Sequence, residues 1–252
     1  MKLGMPTLFE LNTIEEHVYF AKKHNLDFIE LNCNFPFILE DILYNKKKLK
    51  RVLGEIETTI HFFDDGDFAS DDFLVKSYFS IFKKICKNAS YFNTKLINIH
   101  LNLGRIVTIN GKKNYINEKY ENTFNKKLLE NILKLDEYAK KYGITLTVEN
   151  LVGPEFIKNA FYLLEENNIH LTYDIGHDYI DSNRLSDFYF NSKKIKEFHF
   201  HDASDKPHLE LGKGNMPLAK YYKLIKDDSY VVIEVKSIKE LESSIRVFRD
   251  YE

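Results

Sequence analysis

The stretch IKEFHFHDASDKPHLELGKGNMP, residues 195–217, decides how the rest of the chain is interpreted. It begins as a short strand, because apolar and polar residues alternate and successive side chains of a strand point to opposite faces. One face carries Phe198 and Phe200, and the other carries Glu197, His199 and His201. A third histidine, His208, follows on a segment that closes with Gly212 and Gly214. Three histidines and several carboxylates within about a dozen residues supply many metal ligands and proton carriers.

The composition is that of a soluble globular protein. The chain has 252 residues, of which 44% are hydrophobic, and 36 Lys and Arg residues against 38 Asp and Glu residues give a net charge of −2. This nearly neutral net charge does not indicate nucleic-acid or membrane binding. The 2 cysteines, Cys33 and Cys86, show no metal-binding or disulfide spacing. With no signal peptide or membrane span expected at the sequence level, we expect a cytoplasmic protein.

Strands and helices alternate along the whole chain, which predicts parallel β-α-β units. The predicted strands cover residues 2–6, 27–32, 58–63, 95–101, 144–150, 169–175, 195–201 and 230–235. Eight such units in about 250 residues favour a closed (β/α)₈ TIM barrel, a single α/β domain over residues 1–252. An open doubly wound sheet is the alternative, but the first β-α turn lacks the glycine-rich loop of a dinucleotide site.

Three local patterns add detail to this fold. Thr13 and Glu16 have the spacing of a capping box at a helix start. Residues 40–53 resemble one basic amphipathic helix that ends at Gly54. After the fourth predicted strand, the pair Asn110 and Gly111 predicts a hairpin turn, which we expect to form a flap over a site.

Polar side chains gather at the predicted strand ends, where the active site of a TIM barrel lies. The chain has 9 histidines, and most of them fall at or just after a strand end: His61, His100, His177, His199, His201 and His208. Carboxylates occupy the same positions at Glu149, Asp174 and Glu234. Taken singly, each has an ordinary explanation: a paired structural glutamate, an aspartate that caps a helix, or a core histidine.

Together the strand ends predict a metal centre. Glu149, Asp174, His199 and Glu234 would bring three carboxylates and one imidazole from four consecutive strands to one place. The repulsion of the three charges amounts to several kcal/mol unless a divalent cation lies between them. Oxygen-rich ligation suits Mn²⁺, Mg²⁺ or Co²⁺, whereas further imidazoles favour Zn²⁺. His61 and His100, with Glu149 as a bridge, would hold a second ion, so we expect one or two ions.

Several motifs resemble the xylose isomerase-like TIM-barrel superfamily over essentially the whole chain. The motifs are IELN, TIHFF, INIHLNLG, TVENLVG, YDIGH, FHFHD and HLELGKGN. This superfamily includes sugar and sugar-phosphate isomerases and epimerases, and also endonuclease IV, an AP endonuclease. The order of the D-x-G-H, H-x-H-D and H-L-x-L-G-x-G-N elements is specific for the superfamily and weak for the branch.

The resemblance to the epimerase branch implies a role for each strand-end residue. It implies metal ligation by Glu149, Asp174, His199 and Glu234, and proton transfer by the two glutamates through an enediolate that the metal stabilises. His177 would bind substrate oxygens, and the other expected substrate-binding residues are His201, His208 and Lys236. The position of Lys236 beside Glu234 suits a phosphate or a substrate oxygen, although a solvated lysine explains it as well.

The resemblance to endonuclease IV implies a trinuclear zinc site. Its matching residues here are His61, His100, Glu149, Asp174, His177, His199, His208 and Glu234. A ninth ligand, an aspartate in that branch, corresponds to Lys206, and a lysine would repel a third metal. The balanced charge and the first strand, KLGMPTLFE, also depart from a DNA repair enzyme.

We therefore predict a divalent-metal-dependent sugar or sugar-phosphate isomerase or epimerase. The alternative is a zinc phosphodiesterase of the endonuclease IV type that acts on abasic DNA. Related enolate chemistry, as in dehydratases or aldolases, and a non-enzymatic metal-binding protein rank lower. We expect a small carbohydrate as the partner, and nucleic acid only under the alternative function. We expect no membrane partner, and a homo-oligomer is compatible with the sequence.

Overall fold

The fold is a closed parallel barrel surrounded by helices. A computed structural model describes residues 1–251. Its strands, numbered along the chain, are β1 (Lys2–Met5), β2 (Phe28–Asn32), β3 (Glu57–His61), β4 (Thr94–His100), β5 (Ile106–Ile109), β6 (Lys112–Tyr115), β7 (Thr145–Glu149), β8 (His170–Asp174), β9 (Ile195–Phe200) and β10 (Tyr230–Ile233). The barrel order is β1-β10-β9-β8-β7-β4-β3-β2, and β1 pairs with both β2 and β10. The predicted TIM barrel is confirmed.

The helices that follow the barrel strands cover the outside of the barrel. They are α1 (Ile14–Lys23), α2 (Pro36–Tyr44), α3 (Lys46–Leu53), α4 (Asp72–Ala89), α5 (Ile116–Lys119), α6 (Glu121–Lys140), α7 (Phe156–Glu166), α8 (Ile175–Ile180), α9 (Ser186–Asn191), α10 (Leu218–Tyr222) and α11 (Ile238–Arg249). Their apolar residues pack on the outward side of the strands and form the main core. Within residues 1–251, none of these helices combines the length and the apolar character that a membrane crossing needs.

The local patterns have mixed outcomes. The capping box is present, since the hydroxyl of Thr13 accepts from the N–H of Glu16, whose side chain accepts from the N–H of Thr13. The hairpin turn is also present, between β5 and β6. The single helix predicted over residues 40–53 is wrong: it is two helices, α2 and α3, separated by Asn45. Asn45 leaves helical backbone angles, with φ of −118° and ψ of 26°, and asparagine has a low helix propensity.

The interior of the barrel changes from apolar to polar along its axis. At the amino-terminal end, the buried ring of Phe28 lies against Gly4 and packs edge-on against Tyr230. Towards the other end, Thr172 donates to the hydroxyl of Thr147 at 2.8 Å and lies 3.1 Å from Glu197. TIM-barrel interiors are usually filled by branched apolar residues. The polar half therefore indicates a site at the carboxyl ends of the strands.

The register of the strands aligns the site residues at one level. His100 of β4 pairs with Glu149 of β7, and Asp174 of β8 pairs with His199 of β9. Paired residues on parallel strands point their side chains the same way. Glu234 lies one residue beyond β10, and its N–H donates to the carbonyl oxygen of Phe200 at 3.1 Å, which continues the ladder.

Candidate metal centre

The four predicted ligands converge in the structure. Glu149, Asp174, His199 and Glu234 come from β7, β8, β9 and the end of β10, and their ligand atoms lie within 4.8 Å of one another. Glu149, Asp174 and His199 are buried, and the side chain of Glu234 is 17% exposed. Glu234 therefore forms the open side of the cluster.

The geometry around His199 fits a cation. Its Nδ1 atom lies 3.1 Å from Oε1 of Glu149 and 3.0 Å from Oε2 of Glu234. Nevertheless, neither His199 Nδ1 nor Glu234 Oε2 has a hydrogen-bond partner among residues 1–251, and both atoms are buried. Buried polar atoms are nearly always hydrogen-bonded or bound to an ion. Their arrangement around a common centre is that of metal ligands, with carboxylate oxygens and one imidazole nitrogen as donors.

A second group contains His61, His100 and Glu149. Nε2 of His61 lies 3.4 Å and Nε2 of His100 lies 3.5 Å from the same Oε2 atom of Glu149. Nδ1 of His61 donates to the carbonyl oxygen of Phe62 at 2.8 Å, which leaves Nε2 with a lone pair in the neutral ring. Burial lowers the pKa of His61, but Glu149 and Glu30 outweigh it and raise this pKa to about 10, so the ring of the ion-free protein carries a proton on Nε2 towards Glu149. A metal cation can take the place of that proton between the ring and the carboxylate, so this group also suits a cation.

The loop after β9 supplies a third group of histidines. His201 is fully buried, with Nε2 3.0 Å from Oδ1 of Asp174. The backbone N–H of His208 donates to Nδ1 of His201 at 2.9 Å. Both ring nitrogens of His201 are thus engaged within the protein, whereas the ring of His208 is partly exposed and lies 5.2 Å from the ring of His177.

Asp202 fixes the shape of this loop. Its carboxylate accepts from the backbone N–H groups of Ala203, Gly212, Gly214 and Met216. These bonds fold residues 203–216 back towards the barrel and hold His208 in the left-handed region, with φ of 58°. A histidine in that region is uncommon, so the loop imposes the position of the ring.

The two remaining lysines of interest lie at the surface. The side chain of Lys236 is 63% exposed, and Nζ lies 3.3 Å from Oε1 of Glu234. It is therefore beside the open side of the cluster, where the sequence analysis expected it. Lys206 is exposed, and so is the neighbouring Asp205, whose carboxylate accepts from Ser204.

Charges in the cluster shift the pKa values strongly. Burial alone would raise the pKa of Glu149, but the positive charges of His199 and His100 outweigh it and hold this pKa well below its ordinary value. Burial likewise opposes ionisation of Glu234, yet His208 and His199 keep its pKa well below the usual range. Burial lowers the pKa of His199, but the surrounding carboxylates raise it well above its ordinary value. The cluster therefore holds ionised carboxylates.

Sequence reasoning assigned no role to two acids beneath the cluster. Glu30 of β2 and Glu197 of β9 are buried, and both lie close to His199. Asn98 of β4 was missed as well, and its side-chain amide donates to Oε2 of Glu149. The missed signal is an acid or amide two residues before a strand end, such as Glu30 in FIELN, because it points into the barrel like the strand-end residue itself.

Comparisons with known proteins agree with the fold. A family model described as "Xylose isomerase-like TIM barrel" matches residues 18–251. Over 273 aligned residues, the chain is 23% identical to MJ1311 from Methanocaldococcus jannaschii, covering 100% of this chain and 89% of that one. The structure of a D-tagatose 3-epimerase-like protein aligns with a TM-score of 0.80 at 21% identity, over 100% of this chain and 97% of that one. The IolI protein with a bound zinc atom aligns with a TM-score of 0.75 at 17% identity, over 100% and 96%.

Proposed function

The chain belongs to the xylose isomerase-like TIM-barrel family, and from this premise we propose that it is a divalent-metal-dependent isomerase or epimerase of sugars or sugar phosphates. The observation that carries the proposal is the cluster of Glu149, Asp174, His199 and Glu234, with two buried ligand atoms that lack a hydrogen-bond partner within residues 1–251. The similarity to a D-tagatose 3-epimerase-like structure supports the same class.

The donor set defines the cofactor we propose. Three carboxylates and one imidazole suit Mn²⁺, Co²⁺ or Mg²⁺, and the neighbouring imidazoles of His61 and His100 favour Zn²⁺ at a second position. When bound, a divalent cation polarises a substrate carbonyl and makes the adjacent C–H more acidic. The remaining chemistry falls to the side chains of this chain.

Glu149 and Glu234 are the proposed proton carriers. Both have a pKa held well below the ordinary value, so each is ionised at neutral pH and able to accept a proton. Glu234 is partly exposed, whereas Glu149 is buried. We assign removal of a substrate proton and its return at the reacting carbon to this pair, one glutamate acting on each side of the substrate.

Three side chains near the open side of the cluster are the proposed substrate contacts. His177 and His208 have partly exposed rings, and Lys236 lies beside Glu234. These groups donate hydrogen bonds that suit hydroxyl or phosphate oxygens. His201, which the sequence analysis grouped with them, is fully buried against Asp174, and we reassign it to holding that ligand in place.

The test is exchange of a carbon-bound proton. The protein, loaded in turn with Mn²⁺, Co²⁺, Zn²⁺ or Mg²⁺, is incubated in D₂O with a panel of ketoses, aldoses and their phosphates. We expect deuterium at a carbon next to a carbonyl, detected by NMR, and a loss of at least about 10²-fold in Glu149→Gln and Glu234→Gln. Glu130→Gln, a surface carboxylate paired with Lys134, is the control. Full turnover in both active-site variants would remove the assignment.

A second candidate function is favoured by the group of His61, His100 and Glu149. Two histidines within 3.5 Å of one carboxylate oxygen suit an additional zinc ion, as a metal-dependent phosphodiesterase requires. This hypothesis predicts nicking of duplex DNA at abasic sites, with a steep dependence on salt. Absence of nicking by the zinc-loaded protein, alongside a positive control enzyme, would eliminate it.

A further inference from the structure

The ring of His199 contacts a further carboxylate, that of Glu30, on the side that faces away from the other candidate metal ligands. Oε1 of Glu30 lies 3.2 Å from Nε2 of His199, opposite the ring edge that faces Glu149 and Glu234. Glu30 belongs to β2 and His199 to β9, so the contact crosses the inside of the barrel. Glu30 is 2% exposed and His199 is 0% exposed, so water does not compete for this bond.

The contact decides which nitrogen of His199 is available to a metal. A neutral imidazole has one N–H donor and one lone pair, and a metal needs the lone pair. A carboxylate accepts only, so Nε2 is the donor towards Glu30. In the neutral ring that a metal requires, the lone pair therefore lies on Nδ1, the atom that faces the other ligands and lacks a hydrogen-bond partner within residues 1–251.

We propose that Glu30 is a positioning residue for the metal ligand His199, a role that rests on the proposed metal-dependent function. Its carboxylate fixes the tautomer and the ring plane and increases the electron density at Nδ1. Such outer carboxylates commonly affect metal affinity about 10–100-fold. Glu30 does not touch the substrate, because the ring of His199 lies between it and the other ligands.

A neighbouring acid offers an alternative explanation. Glu30, Glu197 and His199 are themselves close enough to hold an ion, and Oε1 of Glu197 has no hydrogen-bond partner among the described residues. However, Nε2 of His199 already bonds to Glu30, and Oε2 of Glu197 lies 3.1 Å from the hydroxyl of Thr172. The observations therefore favour a hydrogen bond to the ligand over a separate ion site.

Glu197 also supplies the matched control. It is as buried as Glu30 and lies inside the same barrel, but its hydrogen-bond partner is Thr172. Glu197→Gln replaces a buried acid and leaves both partners of the Glu30–His199 bond in place. Glu30→Gln keeps the size and a carbonyl acceptor but loses the charge, and Glu30→Ala removes the acceptor entirely.

The experiment measures Co²⁺ binding by the full-length protein. Affinity is determined by competition with a chromogenic chelator, and the visible absorption band of bound Co²⁺ reports on the ligand field. We expect Glu30→Ala to bind about 10–100-fold more weakly with an altered band. Glu30→Gln, which keeps a hydrogen-bond acceptor, should lose less affinity for Co²⁺ than Glu30→Ala. Glu197→Gln should match the wild type. Thermal unfolding confirms folding, and the isosteric Glu30→Gln carries the test if Glu30→Ala is unfolded.

The outcomes separate this inference from the proposed function. Unchanged affinity and an unchanged band in both Glu30 variants would overturn the positioning role and leave the metal centre intact. An equal loss in Glu197→Gln, or loss of one ion per chain in that variant alone, would overturn it in favour of a general effect of altering buried acids or an ion at Glu197. A wild-type protein that binds no Co²⁺ would refute the proposed metal dependence, and this inference with it.

Discussion

The ring of His201 lies against the backbone of Gly176 so closely that a Cβ at residue 176 would come within 1.9 Å of Cε1 and 2.4 Å of Nδ1. The glycine of the D-x-G-H motif is therefore required by space. Gly176 lies at the start of α8 and is absent from the residues with positive φ in residues 1–251, so no left-handed turn requires the glycine. The glycine of the D-x-G-H motif and the second histidine of the H-x-H-D motif thus contact each other.

Replacement of Gly176 by alanine should displace His201 and, through it, Asp174. We expect Gly176→Ala to destabilise the protein by about 1–3 kcal/mol, the usual cost of overpacking, and to weaken metal binding. Chemical denaturation checks the stability. In a His201→Ala background the added methyl group has room, so the same substitution should then be nearly neutral. A full additive loss in the double variant would contradict the contact as the cause.

The two ligand groups should respond separately to mutation. We expect His61→Ala or His100→Ala to reduce the metal content from about two ions per chain to about one, because the group around His199 stays complete. Asp174→Asn should affect ion binding by the group around His199, and Glu149→Gln should affect ion binding by both groups. Metal analysis of the dialysed proteins measures the stoichiometry. Unchanged content in both histidine variants would show that this group binds no ion.

Metal binding should strengthen as the pH rises. The pKa of His199 lies well above its ordinary value in the ion-free protein, so the ring is protonated at neutral pH and a metal must displace that proton. The pKa values of Glu149 and Glu234 are lowered, so these carboxylates remain ionised over the same range. Affinity should therefore increase about tenfold per pH unit until His199 loses its proton. Calorimetry in buffers of different ionisation enthalpy measures the released proton; its absence would contradict the assignment.

Glu197 should make the protein progressively less stable as the pH rises from 4.5 to about 8. Burial, together with the charge of Glu30, raises the pKa of Glu197 from 4.5 to about 8. Between those values the folded chain keeps a proton that the unfolded chain releases, so stability falls as the pH rises through this window. Glu197→Gln cannot lose the proton, and its stability relative to wild type should increase from pH 5 to pH 8 by on the order of a few kcal/mol. Denaturation in the presence of a chelator, with Glu130→Gln as control, tests this; parallel pH profiles would contradict it.

The fold could be predicted because its signals are local and repeated. Each β-α unit carries its own apolar strand and amphipathic helix, and eight repeats leave few alternatives. The break at Asn45 was missed because residues 40–53 keep a helical apolar spacing across it. The non-helical backbone of a single asparagine separates the two helices without disturbing that pattern.

The site could be predicted at the strand ends and not below them. The barrel topology itself implies that Glu149, Asp174, His199 and Glu234 lie near one another. In contrast, Glu30 and His199 meet across the barrel, and their contact depends on strand tilt and stagger that the sequence does not display. The engagement of His201 with Asp174 likewise follows from a close approach to Gly176, which only coordinates reveal.

Glu149 presents its two oxygens to different neighbours, Oε1 to His199 and Oε2 to His61 and His100. The candidate ion position beside His199 and the one beside His61 and His100 therefore share one side chain. Glu149 cannot turn towards one of these positions without moving away from the other. We expect occupancy of either position to change the affinity of the other, and by thermodynamic reciprocity the effect is equal in both directions. A titration of the ion-free protein should therefore be cooperative, positively or negatively, rather than follow two independent isotherms.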